Sequence, residues 1–322
     1  MRDYGSDFQI VYRREIAPEA EALEQKRQKR VRAFYRNIAL TVLGYALVFG
    51  GAYVFDLYRM YLDWLAFAGV VGLMIAFFAI SRPGTQHRND VKELVIPPIC
   101  KMVGELEYQR KPKGRFRLEA FKDAGVVGSF SRSALEDLFT GRYRETGFSM
   151  VEARLKKRSS SGRNKSSRTV FKGLLFEIEV PTQFTCFAIM VGDKGAIGNA
   201  IVSFVRERFG GLERVETGHP NFEERYELFA DDPAGALKLL SGGFLDTMVA
   251  LSDAAGRDAL NAAMSNQRFL LALPHRKSLF EVGRLHRPLD HLEEDLEEIV
   301  GEITIPHRVI DYLHGERPKL MP

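Results

Sequence analysis

The sequence predicts an α+β protein, in which an N-terminal two-helix transmembrane hairpin precedes a domain with an antiparallel sheet and packed helices. Two uncharged apolar runs in tandem, joined by an aromatic-rich polar link, predict the hairpin. Short alternating segments rich in β-branched residues, separated by turn residues and helical patterns, predict the sheet and its helices. Across 322 residues, 27% charged residues exclude a many-span transporter, and 45% apolar residues exclude a disordered chain.

Residues 1–33 form a charged tail, for which we predict a helix that continues into the first apolar run. Acidic residues follow Pro18 and basic residues come later, an order that suits the helix dipole. Six bases near the first run are candidates for juxtamembrane contact with anionic lipid: Lys26, Arg27, Lys29, Arg30, Arg32 and Arg36. An equally open interpretation is that these bases only determine the topology.

The predicted hairpin occupies residues 34–82, with spans at 38–55 and 64–80. The uncharged runs of 18 and 17 residues approach the roughly 20 residues that cross a hydrocarbon core. A pair of buried core helices in a soluble protein is the alternative. The glycines of both runs predict close packing within the hairpin, and homo-oligomerisation through the same faces stays open.

The distribution of bases around the hairpin predicts its orientation. Bases flank both spans on the outside, whereas the link between them carries only Arg59 against Asp56 and Asp63. The positive-inside rule therefore places both termini in the cytoplasm. The two cysteines, Cys100 and Cys186, exclude a disulfide scaffold and fit a reducing compartment.

Residues 83–322 are predicted to form a cytosolic α+β domain. Residues 81–84 are expected to stop the second span. Strand patterns lie at 142–155, 169–180 and 184–191, and their spacing suggests an antiparallel meander. Two further strands are predicted at 224–230 and 266–273. Helical patterns lie at 89–107, 199–209, 234–240, 244–255, 289–300 and 306–313.

A basic segment at 154–168 separates two of the predicted strands and contains no acid. Its seven bases are Arg154, Lys156, Lys157, Arg158, Arg163, Lys165 and Arg168. Serine and glycine fill much of the remainder, which is typical of a solvated hairpin tip. The functional interpretation is contact with a polyanion. Anionic membrane is favoured over nucleic acid, because the segment has no interleaved aromatic residues.

Motifs for catalysis, cofactors and metals are absent from the sequence. The seven histidines form no zinc-ligand spacing, and neither a P-loop nor a nucleophile elbow occurs. The glycine-rich segment 192–198 departs from the dinucleotide fingerprint. We therefore predict no catalytic residues, cofactor or metal, and a protein that is not an enzyme. An enzyme or small-ligand binder with an unrecognised site is the alternative, as is an anionic-lipid sensor acting through residues 154–168.

Three stretches of the chain resemble a known family: RTVFKGLLFEIEVPTQFTCFAIMV (168–191), ERYELFADDPAGALKLLSGGFLDTMVAL (224–251) and NQRFLLALPHRKSLFEV (266–282). Together with the basic tail and the two adjacent spans, they resemble the bacterial membrane-anchored domain-of-unknown-function family 3137 (DUF3137). The resemblance implies a multi-pass bacterial inner-membrane protein and supplies no catalytic residues. We expect the bilayer and an unidentified protein as partners, anionic lipid as a further candidate, and no nucleic acid.

Overall fold

A computed structural model describes residues 4–55, 58–104, 106–112, 114–158, 166–180, 186–192, 210–240, 242–254, 260–265, 267–275, 278 and 280–313. The chain divides into two compact units. We call Tyr4–Met102 with Glu281–Glu298 the hairpin unit, and Val103–Phe280 with Ile299–Pro322 the sheet unit. The boundary between the two units lies between residues 102 and 103. The sequence suggested a boundary between residues 82 and 83, but residues 83–102 continue the second long helix.

Helices make up the hairpin unit. They are α1 (Tyr4–Val11), one π-helical turn (Tyr12–Ile16), α2 (Ala17–Val54), α3 (Tyr58–Gly104), a 3-10 turn (Leu289–His291) and the start of α8 (Leu292–Ile303). The prediction that the charged tail helix continues into the first apolar run is confirmed by α2. Helix α3 bends at Tyr61, whose backbone dihedrals are not helical.

Residues 81–84, where the second span is predicted to stop, do not end the helix, since α3 passes through Pro83 and ends at Gly104. A proline lacks the N–H that would bond to the carbonyl four residues earlier, which here is that of Ala79. The Asn37 amide donates a hydrogen bond to this carbonyl at 2.8 Å. Helix α2 thus supplies the partner that Pro83 removes, and α3 continues.

Among the described residues, nine antiparallel strands form the core of the sheet unit, in the order β1-β2-β3-β4-β9-β8-β5-β7-β6. The strands are β1 (Glu107–Gln109), β2 (Arg132–Tyr143), β3 (Thr146–Arg158), β4 (Ser167–Glu179), β5 (Ala188–Gly192), β6 (Glu213–Val215), β7 (Tyr226–Ala230), β8 (Asn261–Ser265) and β9 (Arg268–Pro274). The predicted α+β class with an antiparallel sheet is confirmed. Strands β1 to β4 form a meander. The predicted continuation of this meander into 184–191 is wrong, because β4 pairs with β9, while β5 pairs with β7 and β8.

A two-residue turn interrupts the segment predicted as one strand at 142–155. Arg144 and Glu145 connect β2 to β3, and both have positive φ, 48° and 62°. A tight hairpin turn of this type requires positive φ at both central residues and usually carries Asn-Gly. The prediction of a continuous strand is therefore wrong, because Arg-Glu gives no turn signal.

Both faces of the sheet are covered. On one face, Val151, Ala153 and Leu155 of β3 pack in a core with Phe121 of α4 (Leu118–Asp123). Helices lie on the other face: α5 (Pro220–Glu223), α6 (Pro233–Leu239), α7 (Gly242–Ala254) and α9 (Ile305–Leu313). The helices predicted near 234–240, 244–255 and 306–313 are confirmed, whereas the one at 199–209 lies outside the described residues.

Candidate functional site

Exposed large apolar side chains concentrate in the hairpin. Among the described residues, all but Ile10 and Leu237 lie between Tyr35 and Phe78. Two helices are long and apolar enough to cross a membrane, judged by length and composition, and only 6% of the most apolar 18 residues of each is buried. This exposure disagrees with the alternative of buried core helices.

Polar contacts inside the hairpin join α2 to α3. The Asn37 amide donates to the Ala79 carbonyl, and the Tyr45 hydroxyl donates to the Gly69 carbonyl at 2.6 Å. A Cβ at Gly72 would lie 2.8 Å from that hydroxyl oxygen, so glycine is needed where the ring crosses the helix. The predicted role of the second span's glycines in hairpin packing is therefore consistent with the geometry.

The six predicted juxtamembrane bases divide into two groups. Lys26, Lys29, Arg32 and Arg36 are exposed. Arg27 is buried and binds both carboxylate oxygens of Glu24, at 2.8 and 2.6 Å, and the carbonyl of Leu285 at 2.8 Å. Arg30 pairs with Asp90 at 2.7 Å. Arg27 and Arg30 thus serve the interior of the hairpin unit, and four bases stay available to an anionic surface.

The paired arginines surround a buried histidine that the sequence did not single out. His87 of α3 is 0% exposed, and neither ring nitrogen hydrogen-bonds to a described residue. Burial, together with the nearby cations Arg30 and Arg27, lowers the pKa of His87 to about 4, against the opposing effect of the Glu24 and Asp90 carboxylates. Hydrogen bonds from Arg27 in turn lower the pKa of Glu24. At neutral pH His87 is therefore uncharged.

The bases predicted at 154–168 lie at the end of the β3–β4 hairpin. Arg154, Lys157, Arg158 and Arg168 are exposed and Lys156 is half-buried, while Arg163 and Lys165 lie outside the described residues. The strand register places cations directly opposite one another: Lys157 faces Arg168, Arg154 faces Lys172, and Arg132 of β2 faces Lys156. Like charges in directly opposed positions are destabilising. The structure therefore gathers more positive charge than the loop sequence indicated.

A polar cleft of about 450 Å³ opens where β3, β4 and β9 meet their turns. Arg144 and Arg268 line it, and each is engaged in an ion pair. Arg144 lies 3.1 Å from buried Asp311, and Arg268 lies 3.2 Å from Glu177, which also pairs with Arg117. Both arginines of this cleft are thus paired within the sheet unit.

A small aromatic and acidic cluster borders Arg144. The ring of Tyr143 stacks on buried His307 with centroids 4.1 Å apart, and its hydroxyl lies 3.4 Å from Asp311. Burial and the Asp311 carboxylate raise the pKa of Tyr143. This cluster has no signal in the sequence, because Tyr143 and Asp311 are 168 residues apart. Among the described residues, no group of three or more His, Cys, Asp or Glu could hold a metal ion.

Comparison with known families identifies the later part of the chain. The model of the family described as "Protein of unknown function (DUF3137)" matches residues 169–314. The match spans less than half of the chain, and over these residues the chain is similar to DUF3137. The predicted resemblance to DUF3137 is confirmed there. The DUF3137 match extends from β4 to the C-terminal helices and leaves the hairpin helices α2 and α3 outside.

Other comparisons add little to the DUF3137 match. The search of curated proteins gives no significant match. Among solved structures, the crystal structure of the mycobacterial trehalose monomycolate transport factor A, TtfA, matches with 10% sequence identity and a TM-score of 0.33. The match covers 66% of this chain and 92% of that chain. A TM-score of this size does not establish a shared fold.

Proposed function

We propose that the chain is a multi-pass protein of the bacterial inner membrane that holds its sheet unit on the cytoplasmic side as a non-enzymatic interaction domain. The observation that carries the proposal is the band of exposed apolar side chains between Tyr35 and Phe78. In water such a band would be unfavourable, whereas a bilayer core accepts it, provided that the backbone is helical throughout.

The charges around the hairpin support the orientation. Lys26, Lys29, Arg32 and Arg36 are exposed on the side of the first span that faces the N-terminus, and Arg82 is exposed just after the second span. Bases on this side of both spans favour a cytoplasmic location for the tail and for everything that follows α3.

The polar cleft of the sheet unit supports an interaction domain over an enzyme. Arg144 and Arg268 are held by Asp311 and Glu177, so neither is presented alone to a substrate. Ion pairs of this kind are usual in structural networks as well as in active sites. Turnover of a substrate that is lost on Arg144→Ala would contradict this part of the proposal.

Cysteine labelling of the full-length chain in intact cells tests the anchor and its orientation. Asp63 and Lys29 are both exposed, one beside the link and one in the tail. A membrane-impermeant maleimide should label Asp63→Cys in intact cells and Lys29→Cys only after lysis. The parent chain is the control, because Cys100 and Cys186 are buried. Labelling of both variants before lysis, or release of the chain by alkaline carbonate, would contradict the proposal.

A second candidate function is contact of the β3–β4 tip with an anionic membrane surface. The directly opposed cations at this tip favour it, because a polyanion would relieve their repulsion. A fluorophore on Ser167→Cys of the full-length chain in nanodiscs reports whether the tip approaches the lipid. Headgroup quenching should be stronger in anionic than in neutral nanodiscs and should fall in the Lys156→Gln, Lys157→Gln, Arg158→Gln triple variant. Equal quenching in both lipids would contradict the contact.

A further inference from the structure

A groove of about 410 Å³ lies between α2 and α3 within the two apolar runs. Small and aliphatic residues form its walls, among them Leu40 and Gly44 on α2 and Ala76 and Ala79 on α3. The groove is open to the outside of the hairpin and offers an apolar surface that water covers poorly.

Fixed contacts shape the groove. The rings of Tyr45 and Phe49 stack with an interplanar angle of 3°. A Cβ built at Gly69 would lie 3.2 Å from the Phe49 ring, and one built at Gly72 would lie 2.8 Å from the Tyr45 hydroxyl oxygen, so the two aromatic side chains pack closely against α3. The Asn37–Ala79 hydrogen bond joins the helices again at the other end. The groove is thus a built feature of the hairpin, held at two levels.

Length and charge suggest what fills the groove. On α2 it runs from Asn37 to Phe49, or about 18 Å at 1.5 Å per residue, close to half of a ~30 Å hydrocarbon core. Arg36 extends the i, i+4 row of Leu40 and Gly44 by one turn beyond the groove. Arg82 lies three residues after Ala79, and both arginines are exposed. An apolar groove of about one-leaflet length therefore ends within one helical turn of two exposed arginines, one on each helix.

We propose that the groove binds one acyl chain of an anionic phospholipid of the cytoplasmic leaflet, with the phosphate held by Arg36 and Arg82. The inference rests on the proposed membrane insertion. Guanidinium groups form strong charge-assisted hydrogen bonds with phosphate. A second copy of the chain is a poorer occupant, because it would bring its own Arg36 and Arg82 to the same level, where like charges repel.

Native mass spectrometry of the full-length chain tests this site. The chain, purified in mild detergent, is exposed to equal amounts of phosphatidylglycerol and phosphatidylethanolamine. We expect one phosphatidylglycerol retained per chain. Gly44→Leu, which projects into the groove, should lower retention at least fivefold. Gly51→Leu is the matched control, since a Cβ at either glycine has nothing within 4 Å but Gly51 does not line the groove.

The charge variants separate the headgroup from the chain. Arg36→Gln with Arg82→Gln should abolish the preference for phosphatidylglycerol, while Lys26→Gln with Lys29→Gln, an equal change of charge, should preserve it. Equal retention by Gly44→Leu and Gly51→Leu, no headgroup preference in the parent chain, or an intermolecular disulfide through Gly44→Cys would overturn the inference. Carbonate extraction separates the two failures: release of the parent chain defeats the membrane anchor, and firm insertion without retained lipid defeats only this site.

Discussion

In the hairpin unit, large apolar side chains such as Leu47 and Phe77 point outward and are 67% and 69% exposed, whereas Phe176 and Leu271 of the sheet unit are fully enclosed. Polar side chains show the opposite arrangement. The Asn37 side chain forms a hydrogen bond between the two helices of the hairpin, whereas Arg168 is exposed on the surface of the sheet unit. One chain thus follows two opposite burial rules, as expected for one part surrounded by hydrocarbon and another surrounded by water.

The largest expected effect compares one leucine from each unit. Leu271→Ala should lower the free energy of unfolding of the sheet unit by about 2–5 kcal/mol, because it opens a cavity in a packed core. Leu73→Ala in α3, where the side chain is 61% exposed, should change it by less than about 0.5 kcal/mol. Pulse proteolysis of both full-length variants in detergent measures the difference. Equal losses of unfolding free energy in the two variants would show that the Leu73 side chain is packed against another surface, contrary to the contrast between the two units.

A second prediction concerns His87, a buried polar group at the base of the hairpin. Its folded pKa of about 4 lies below the ordinary value of 6.5, so the unfolded chain binds the proton more readily. Stability contributed by neutral His87 is complete above pH 6.5 and is lost as the pH falls toward 4, by roughly 3 kcal/mol in total.

The replacement His87→Leu isolates this contribution from the carboxylates Glu24 and Asp90 and the cations Arg27 and Arg30 nearby. We expect the unfolding free energy of the variant to fall less steeply between pH 6.5 and 4 than that of the parent chain. If the unfolding free energies of the two proteins change with pH in parallel, the pKa of His87 is not lowered in the folded state.

The third prediction tests the polar contact inside the hairpin. Asn37→Ala should cost about 1–3 kcal/mol, because the Ala79 carbonyl then has neither the amide nor the N–H that Pro83 lacks. In a Pro83→Ala background, the restored N–H serves that carbonyl, and Asn37→Ala should cost much less. A double-mutant cycle in detergent measures this coupling. Additive losses would mean that Asn37 acts independently of the proline.

The sequence predicts those features that residue composition determines locally. Uncharged runs identify the long apolar helices, and Asp232 followed by Pro233 marks the start of α6, where the Asp232 carboxylate accepts from the Gly235 N–H at 3.0 Å. Prediction from the sequence fails where local structure depends on a residue far away in the chain. Pro83 predicts the end of a helix, but the helix continues because the Asn37 side chain donates a hydrogen bond to the Ala79 carbonyl. Asn37 precedes Ala79 by 42 residues.

The candidate site shows the same limit. The six juxtamembrane bases cannot be distinguished in the sequence. In the structure, Arg27 donates a hydrogen bond to the carbonyl of Leu285, 258 residues away, and Arg30 forms an ion pair with Asp90. The basic tip was found from its composition, whereas its opposed cations follow only from the strand register. His87 carries no sequence signal, since its pKa is set by burial and by charged neighbours that are distant in the sequence. Pairing and burial, more than residue type, decide which charges face outward.

The smallest expected effect concerns the charges outside the sheet. Arg168→Glu would place a carboxylate opposite Lys157 and replace a like-charged pair by an opposite one, which should raise the unfolding free energy by about 0.2–1 kcal/mol. The same variant should weaken the quenching of a tip fluorophore by anionic lipid, so that stability and lipid contact change in opposite directions. Arg115→Glu, at another exposed base of the sheet unit, is the matched control and should change neither by a comparable amount. A gain in stability with undiminished quenching would show that the clustered cations have no role at the membrane. Higher stability together with weaker quenching would indicate that repulsion between the cations of the tip is relieved by an anionic surface.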